Sequence, residues 1–109
     1  KILWLELFDN VLTGPLPTKW SAMSTLEYLS LEKNQLIGTL SREYSRLEKM
    51  LDLQLDNNML NGTLSAEWST MTALEFFYLH WNQLRGTLPR EYGNWTKIHD
   101  LELNNNMLS

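Results

Sequence analysis

Large apolar residues recur along the chain at a fixed interval of 24 positions. Around the second and third apolar positions of each unit, apolar and polar residues alternate with a period of two. This alternation predicts a short strand with one buried face. The apolar columns are Ile2, Leu26, Met50, Leu74 and Ile98; Leu5, Leu29, Leu53, Phe77 and Leu101; and Leu7, Leu31, Leu55, Leu79 and Leu103.

A strand of this length cannot bury its apolar face alone, whereas stacked copies of one unit share a continuous core. We therefore expect five parallel strands in one sheet, at residues 4–6, 28–30, 52–54, 76–78 and 100–102. The 109 residues correspond to about 4.5 units, so residues 1–109 form one domain. We expect this domain to be a fragment of a longer array, because a solenoid needs terminal units that cover its core.

Other columns keep the same register. An asparagine follows each predicted strand, where its amide can bond backbone groups that a tight turn leaves unpaired. We assign this structural role to Asn10, Asn34, Asn58, Asn82 and Asn106. A glycine four residues later suits a bend. The Thr39-Leu40 pair and its repeats suggest a second short strand on the outer side.

An aromatic column has the mass to fill the broad side of each unit. It consists of Trp20, Tyr44, Trp68 and Tyr92. Pro17 and Pro89 precede two of these residues and favour the start of a helical or 3-10 turn there.

The complete unit, L-x-x-L-x-L-x-x-N-x-L-x-G-x-L-[PS]-x-x-[WY]-x-x-[ML], resembles the plant-type leucine-rich repeat, which also has 24 residues. The resemblance covers the whole chain. It implies an α/β solenoid of right-handed coils, with a short parallel sheet on the concave side and irregular or 3-10 segments on the convex side.

The L-P-x-x-W-S-x-M block at residues 16–23 is similar to the promastigote surface antigens and proteophosphoglycans of trypanosomatid parasites. That resemblance implies a secreted or lipid-anchored surface glycoprotein, hence a cell-surface or extracellular location. The chain departs from this pattern where Ser41 and Ser65 replace the proline and where Tyr44 and Tyr92 replace the tryptophan.

The composition excludes several classes of protein. The net charge is −4 with nine basic residues, which disfavours a nucleic-acid partner. The chain has no cysteine for a disulfide framework or a thiolate metal site, and its apolar runs are too short to span a membrane. It also lacks the common nucleophile, zinc-protease and phosphate-loop motifs, so we expect neither an enzyme nor a cofactor.

The outward-facing positions of the predicted sheet are rich in aromatic and acidic residues. Among them, we select as candidate partner-binding residues Trp4, Phe8, Tyr28, Glu32, Asp52, Asp56, Phe76, Tyr78, His80 and Trp81. Exposed aromatic residues are enriched in binding hot spots, although strand propensity alone also favours them. An acidic surface with aromatic anchors suits a cationic protein segment and equally suits stacking against a sugar.

Glu32, Asp56 and His80 fall on three adjacent strands of the predicted sheet. They could form a metal site or a pair of acid–base carboxylates, but no complete metal-spacing motif accompanies them. We interpret them as a solvated acidic strip without a metal. Repulsion between like charges should raise the pKa of one carboxyl group.

Two N-x-[ST] sequons make Asn61 and Asn94 candidate glycosylation sites if the protein is secreted. Two functions remain open. The first is a non-catalytic surface or secreted module that recognises a protein or carbohydrate ligand on its concave face. The second is a structural stalk without a specific ligand. A stalk should expose the same residues in every unit, whereas the fourth unit alone supplies Phe76, Tyr78, His80 and Trp81, which favours recognition.

Overall fold

Each repeat contributes one strand to each of two parallel sheets. The computed structural model describes residues 3–109, so the predicted core position Ile2 lies outside the described residues. In chain order the strands are β1 (Trp4–Glu6), β2 (Thr13–Gly14), β3 (Tyr28–Ser30), β4 (Gln35–Gly38), β5 (Asp52–Gln54), β6 (Met59–Thr63), β7 (Phe76–Tyr78), β8 (Gln83–Gly86), β9 (Asp100–Glu102) and β10 (Met107–Leu108).

The first sheet, which we call the concave sheet, has the strand order β1-β3-β5-β7-β9. Every neighbouring pair in it is parallel and in register at the 24-residue interval. The predicted strand positions and parallel pairing are therefore confirmed.

The second sheet has the order β10-β8-β6-β4-β2. The prediction of a strand at the Thr-Leu pairs was wrong in its position, because most of each strand precedes these residues. The strands β4 and β8 end at Gly38 and Gly86, which have φ angles of 87°. At Gly62 (φ 81°) a Cβ would lie 2.9 Å from Cγ2 of Thr39 in the preceding repeat, so packing between coils adds to the requirement for glycine.

Within residues 3–109, four 3-10 helices return the chain to the concave sheet, as the sequence predicts. They span Thr18–Ala22, Arg42–Arg46, Ala66–Thr70 and Arg90–Asn94. Each follows a proline or serine with an extended backbone. Among residues 3–109, no helix is long and apolar enough to cross a membrane.

The inward-facing leucines and the aromatic column share one core between the sheets and the 3-10 helices. In the middle coils Leu29, Leu53 and Phe77 are at most 1% exposed. Leu5 and Leu101, in the first and last strands of the concave sheet, are only partly buried because each has a neighbouring coil on one side. Burial therefore depends on stacking rather than on any single repeat.

A ladder of asparagine side chains connects the turns of successive coils. The Asn58 amide nitrogen donates hydrogen bonds to the carbonyls of Leu31, Leu55 and Asp56, and its oxygen accepts one from the N–H of Leu36. Asn34, Asn82 and Asn106 bond their own and the preceding coil in the same way. Each of these four asparagines thus satisfies turn groups of two coils, whereas the Asn10 amide donates to the carbonyls of Leu7 and Phe8 in its own coil.

The polar tips of the aromatic column form a second ladder. The Tyr44 hydroxyl donates to the carbonyl of Pro17, and the Trp68 indole N–H donates to that of Ser41. The Tyr92 hydroxyl donates to the carbonyl of Ser65. Tyrosine and tryptophan are interchangeable in this column because both place a donor at the end of a large ring.

Candidate functional site

The outward side chains of the concave sheet form rows that cross its strands. The first row, fixed by the strand register, comprises Trp4, Tyr28, Asp52, Phe76 and Asp100. The second row comprises Glu6, Ser30, Gln54, Tyr78 and Glu102. Backbone hydrogen bonds continue beyond the strands and align a third row of Phe8, Glu32, Asp56, His80 and Asn104.

Residues of the fourth row lie in the turn that leaves each strand. They are Asp9, Lys33, Asn57, Trp81 and Asn105, and all have left-handed backbones with φ between 55° and 59°. Trp81 was expected at an outward-facing strand position, and that assignment was wrong because Trp81 lies in this turn. Because a left-handed backbone brings Cβ close to the carbonyl oxygen, it disfavours large side chains and best tolerates glycine, asparagine and aspartate.

Aromatic side chains occupy both sides of this surface. On β1 and β3 the rings of Trp4 and Tyr28 are stacked, with centroids 4.3 Å apart and planes 17° apart. The Trp4 indole N–H donates a hydrogen bond to Glu6. On the other side the rings of Tyr78 and His80 meet edge to face, with their centroids 6.0 Å apart. Phe8 and Trp81 are exposed by 48% and 57%.

Carboxylate side chains lie between the aromatic groups of this surface. Both carboxylate oxygens of Asp52 accept hydrogen bonds from the neutral Gln54 amide. Glu32 Oε1 is buried without a hydrogen-bond partner. In the part of the chain that the structure describes, no lysine or arginine lies within salt-bridge distance of these carboxylates or of Asp56.

His80 lies between two carboxylates. Its Nε2 is 3.4 Å from Asp56 Oδ2, and its Nδ1 is 3.4 Å from Glu102 Oε1. The second contact lacks hydrogen-bond geometry and leaves Nδ1 unpartnered. Asp56 was expected to face solvent but is only 7% exposed, because His80 flanks it and Asn57 donates to the same oxygen at 2.8 Å.

Burial changes the proton affinity of several groups on this surface. It raises the pKa of Glu32, and the charges of Asp56 and Asp52 raise it further. The expected increase in the pKa of one carboxyl group is therefore present, but burial contributes more to it than repulsion between like charges does. Burial also raises the pKa of Asp52, against the opposing hydrogen bond from Gln54. Burial and the hydrogen bond to Asp100 raise the pKa of Tyr78 to about 12.

Within residues 3–109, no group of three histidine or acidic side chains has a geometry that could hold a metal ion. A groove of about 580 Å³ lies away from the concave sheet. It runs along the segments that connect the second sheet to the 3-10 helices and along the starts of those helices. Its lining includes Thr39, Glu43, Thr63 and Glu67, so it is a rival location for a ligand.

The structure brings together most of the candidate residues and adds two. Asp100 accepts a hydrogen bond from Tyr78, and Glu102 contacts His80. Both lie 22 positions after their partners, on a diagonal between adjacent strands rather than at the 24-residue interval. Comparing diagonal neighbours in the predicted sheet could have found them.

Comparison with protein-family models matches residues 73–95 to the Leucine Rich Repeat family. A sequence search of curated proteins finds no match. Solved structures are similar over nearly the whole chain. The plant peptide hormone receptor RGFR1 in complex with RGF2 matches at 28% identity and a TM-score of 0.95, over 97% of this chain and 17% of the receptor chain.

Two further structures extend this similarity. The BIR2 ectodomain from Arabidopsis thaliana matches at 29% identity and a TM-score of 0.93, over 96% of this chain and 55% of its own. A leucine-rich-repeat protein of Leptospira interrogans matches at 36% identity and a TM-score of 0.87, over 97% and 26% of the two chains. These similarities confirm the leucine-rich-repeat solenoid. This chain spans less than two thirds of each of these structures.

Proposed function

We propose that this leucine-rich-repeat array is a non-catalytic recognition module that binds a protein or peptide partner on its concave sheet. The proposal rests on the exposure and the backbone conformation of Trp81. A large aromatic side chain with 57% exposure stands where the backbone is left-handed, at φ 57°. Exposing this ring and holding this backbone both cost free energy within the isolated fold, and a partner that covers the ring would offset the cost.

The uneven distribution of aromatic side chains supports recognition over a stalk. In the fourth row the other repeats have Asp9, Lys33, Asn57 and Asn105. A spacer would have no reason to differ in one repeat, because each coil meets the same environment. A binding surface needs such differences, since a few residues dominate the binding energy.

The charge on this sheet favours a cationic partner. Glu32, Asp52 and Asp56 have no lysine or arginine within salt-bridge distance among residues 3–109. Complementary charge increases the association rate and the specificity of a complex. The comparison structure of RGFR1 is that of a peptide hormone receptor in complex with RGF2, which is consistent with a peptide partner here.

An extracellular or cell-surface location belongs to the same proposal. The BIR2 comparison structure is an ectodomain. Both sequon asparagines, Asn61 and Asn94, are exposed and would accept glycans in a secretory pathway. Membership of the trypanosomatid surface-antigen group rests only on the motif at residues 16–23.

The test is selection of ligands against the protein and against a variant with Tyr78→Ala and Trp81→Asn. Asparagine is chosen because it tolerates the left-handed backbone. A phage-displayed dodecapeptide library and a glycan array are applied to both proteins and to an Arg42→Ala, Glu67→Ala control on the outer groove. We expect peptides that bind the protein and the control but not the concave variant. Ligands that bind all three equally, or only glycans, would contradict the proposal.

A further inference from the structure

The first four residues of the first row of the concave sheet present three surfaces in a line, two aromatic and one acidic. The stacked Trp4 and Tyr28 rings lie on β1 and β3, Asp52 lies on β5, and Phe76 lies on β7. From β1 to β7 the order along this line is aromatic, acidic, aromatic, and Asp100 on β9, which accepts a hydrogen bond from Tyr78, follows it. A ligand that crosses the strands here would meet an apolar surface, then a negative charge, then a second apolar surface.

The spacing of these surfaces fits an extended peptide. Strands lie about 4.8 Å apart, so the centre of the Trp4–Tyr28 stack is roughly 7 Å from Asp52 and roughly 12 Å from Phe76. An extended chain advances about 3.3 Å per residue, and alternate side chains point the same way. Side chains at positions i, i+2 and i+4 of such a ligand are thus separated by about 6.6 Å and 13 Å.

Asp52 lies between the two aromatic surfaces of the first row and is placed to take a cation from a partner. Asp56 is already held by His80 and by Asn57. The Asp52 carboxylate, in contrast, accepts only from the neutral Gln54 amide, so its charge is not balanced by a neighbouring cation. Glu32 lies near Asp52 with a buried carboxylate oxygen that has no hydrogen-bond donor.

We infer that the partner is an extended peptide segment in which a lysine or arginine stands two residues after one large apolar side chain and two residues before another. The two apolar side chains cover the Trp4–Tyr28 stack and Phe76, and the basic side chain binds Asp52. This inference rests on the proposed function and specifies the kind of peptide that the concave sheet takes.

The experiment repeats the selection described above with a first-row variant, Trp4→Ala and Phe76→Ala, and examines the peptides that depend on these two residues. We expect them to share the apolar-x-basic-x-apolar pattern. If such peptides are found without this pattern, the inference is overturned while the proposed function stands. If no peptide depends on the concave sheet, both are overturned.

Synthetic peptides and matched variants give the quantitative test. A peptide with Leu-Ser-Arg-Ser-Leu at its centre should bind about tenfold more tightly than one with glutamine in place of arginine. The Asp52→Asn variant should lose this preference, and Glu48→Gln, which removes an exposed charge on an outer turn, should keep it. Equal affinity of the two peptides for the unmodified protein, or retention of the preference by Asp52→Asn, would contradict the inference.

Discussion

The side-chain amide of Asn58 donates a hydrogen bond, 3.0 Å long, to the backbone carbonyl of Leu31 in the preceding repeat. The same side chain bonds two carbonyls of its own coil and the N–H of Leu36. The asparagine column thereby holds the concave strands and the turns that follow them in a fixed register. Trp81 and Asn57 occupy those turns, so the position of the candidate surface depends on this ladder.

Replacing Asn58 with alanine should therefore lower the free energy of unfolding by about 3 kcal/mol, because several buried backbone groups lose their partners. Asn57→Ala should cost only about 1 kcal/mol, mainly from its left-handed backbone, and Asn57→Gly should cost less than Asn57→Ala. Urea unfolding of the three variants measures these differences. Equal midpoints for Asn58→Ala and Asn57→Ala would refute the structural role of the column.

Trp81→Asn should separate stability from binding. Asparagine accepts the left-handed backbone and removes an exposed indole, so the free energy of unfolding should stay unchanged or rise by up to about 1 kcal/mol. Binding of a selected peptide should weaken by more than about 1 kcal/mol. Chemical denaturation and calorimetric titration of one preparation provide both values. A variant that is less stable but binds unchanged would show that Trp81 has a structural role.

The aromatic ladder makes a prediction for Trp68, whose indole N–H donates to the Ser41 carbonyl at 2.7 Å. Trp68→Tyr keeps a donor at the end of the ring, as Tyr44 and Tyr92 do in neighbouring coils. Trp68→Phe leaves the carbonyl unpaired and should be about 1 kcal/mol less stable than Trp68→Tyr. Thermal unfolding of the pair tests this, and the same melting temperature for both would argue that only ring volume matters.

The 24-residue pattern predicts the concave strands to the residue, because strand position follows from which side chains must enter the core. It does not predict the left-handed turn at Asp9, Lys33, Asn57, Trp81 and Asn105. Such a prediction would rest on a preference for small polar residues at these positions. Lys33 and Trp81 do not follow that preference, so the turn is not evident from the sequence. The pattern also fails to predict the burial of Asp56, since that burial depends on the side chains of Asn57 and His80 rather than on alternation along a strand.

Glu32 makes stability depend on pH. Burial raises its folded-state pKa above the ordinary value of 4.5, so its protonated form favours folding. That stabilisation is complete below the ordinary pKa and is lost as the pH rises through the folded-state pKa. Glu32→Gln should therefore raise the free energy of unfolding at pH 7 relative to the unmodified protein, with the gain disappearing near pH 3.

Urea unfolding at both pH values measures this effect, with Glu48→Gln as the exposed control. A gain of the same size at pH 3 and pH 7 would mean that side-chain packing, rather than the charge of Glu32, causes it. A gain confined to neutral pH would show that the acidic surface reduces stability in the absence of a partner.

The most direct test of the central claim is to map where a selected peptide binds, from the changes in backbone amide chemical shifts when it is added to isotopically labelled protein. The recognition surface proposed here predicts the largest changes at residues 52–57 and 76–81, across the concave sheet. Small or no changes are expected at residues 39–43 and 63–67, which line the outer groove. The largest changes at those groove residues, with none at 76–81, would contradict the account.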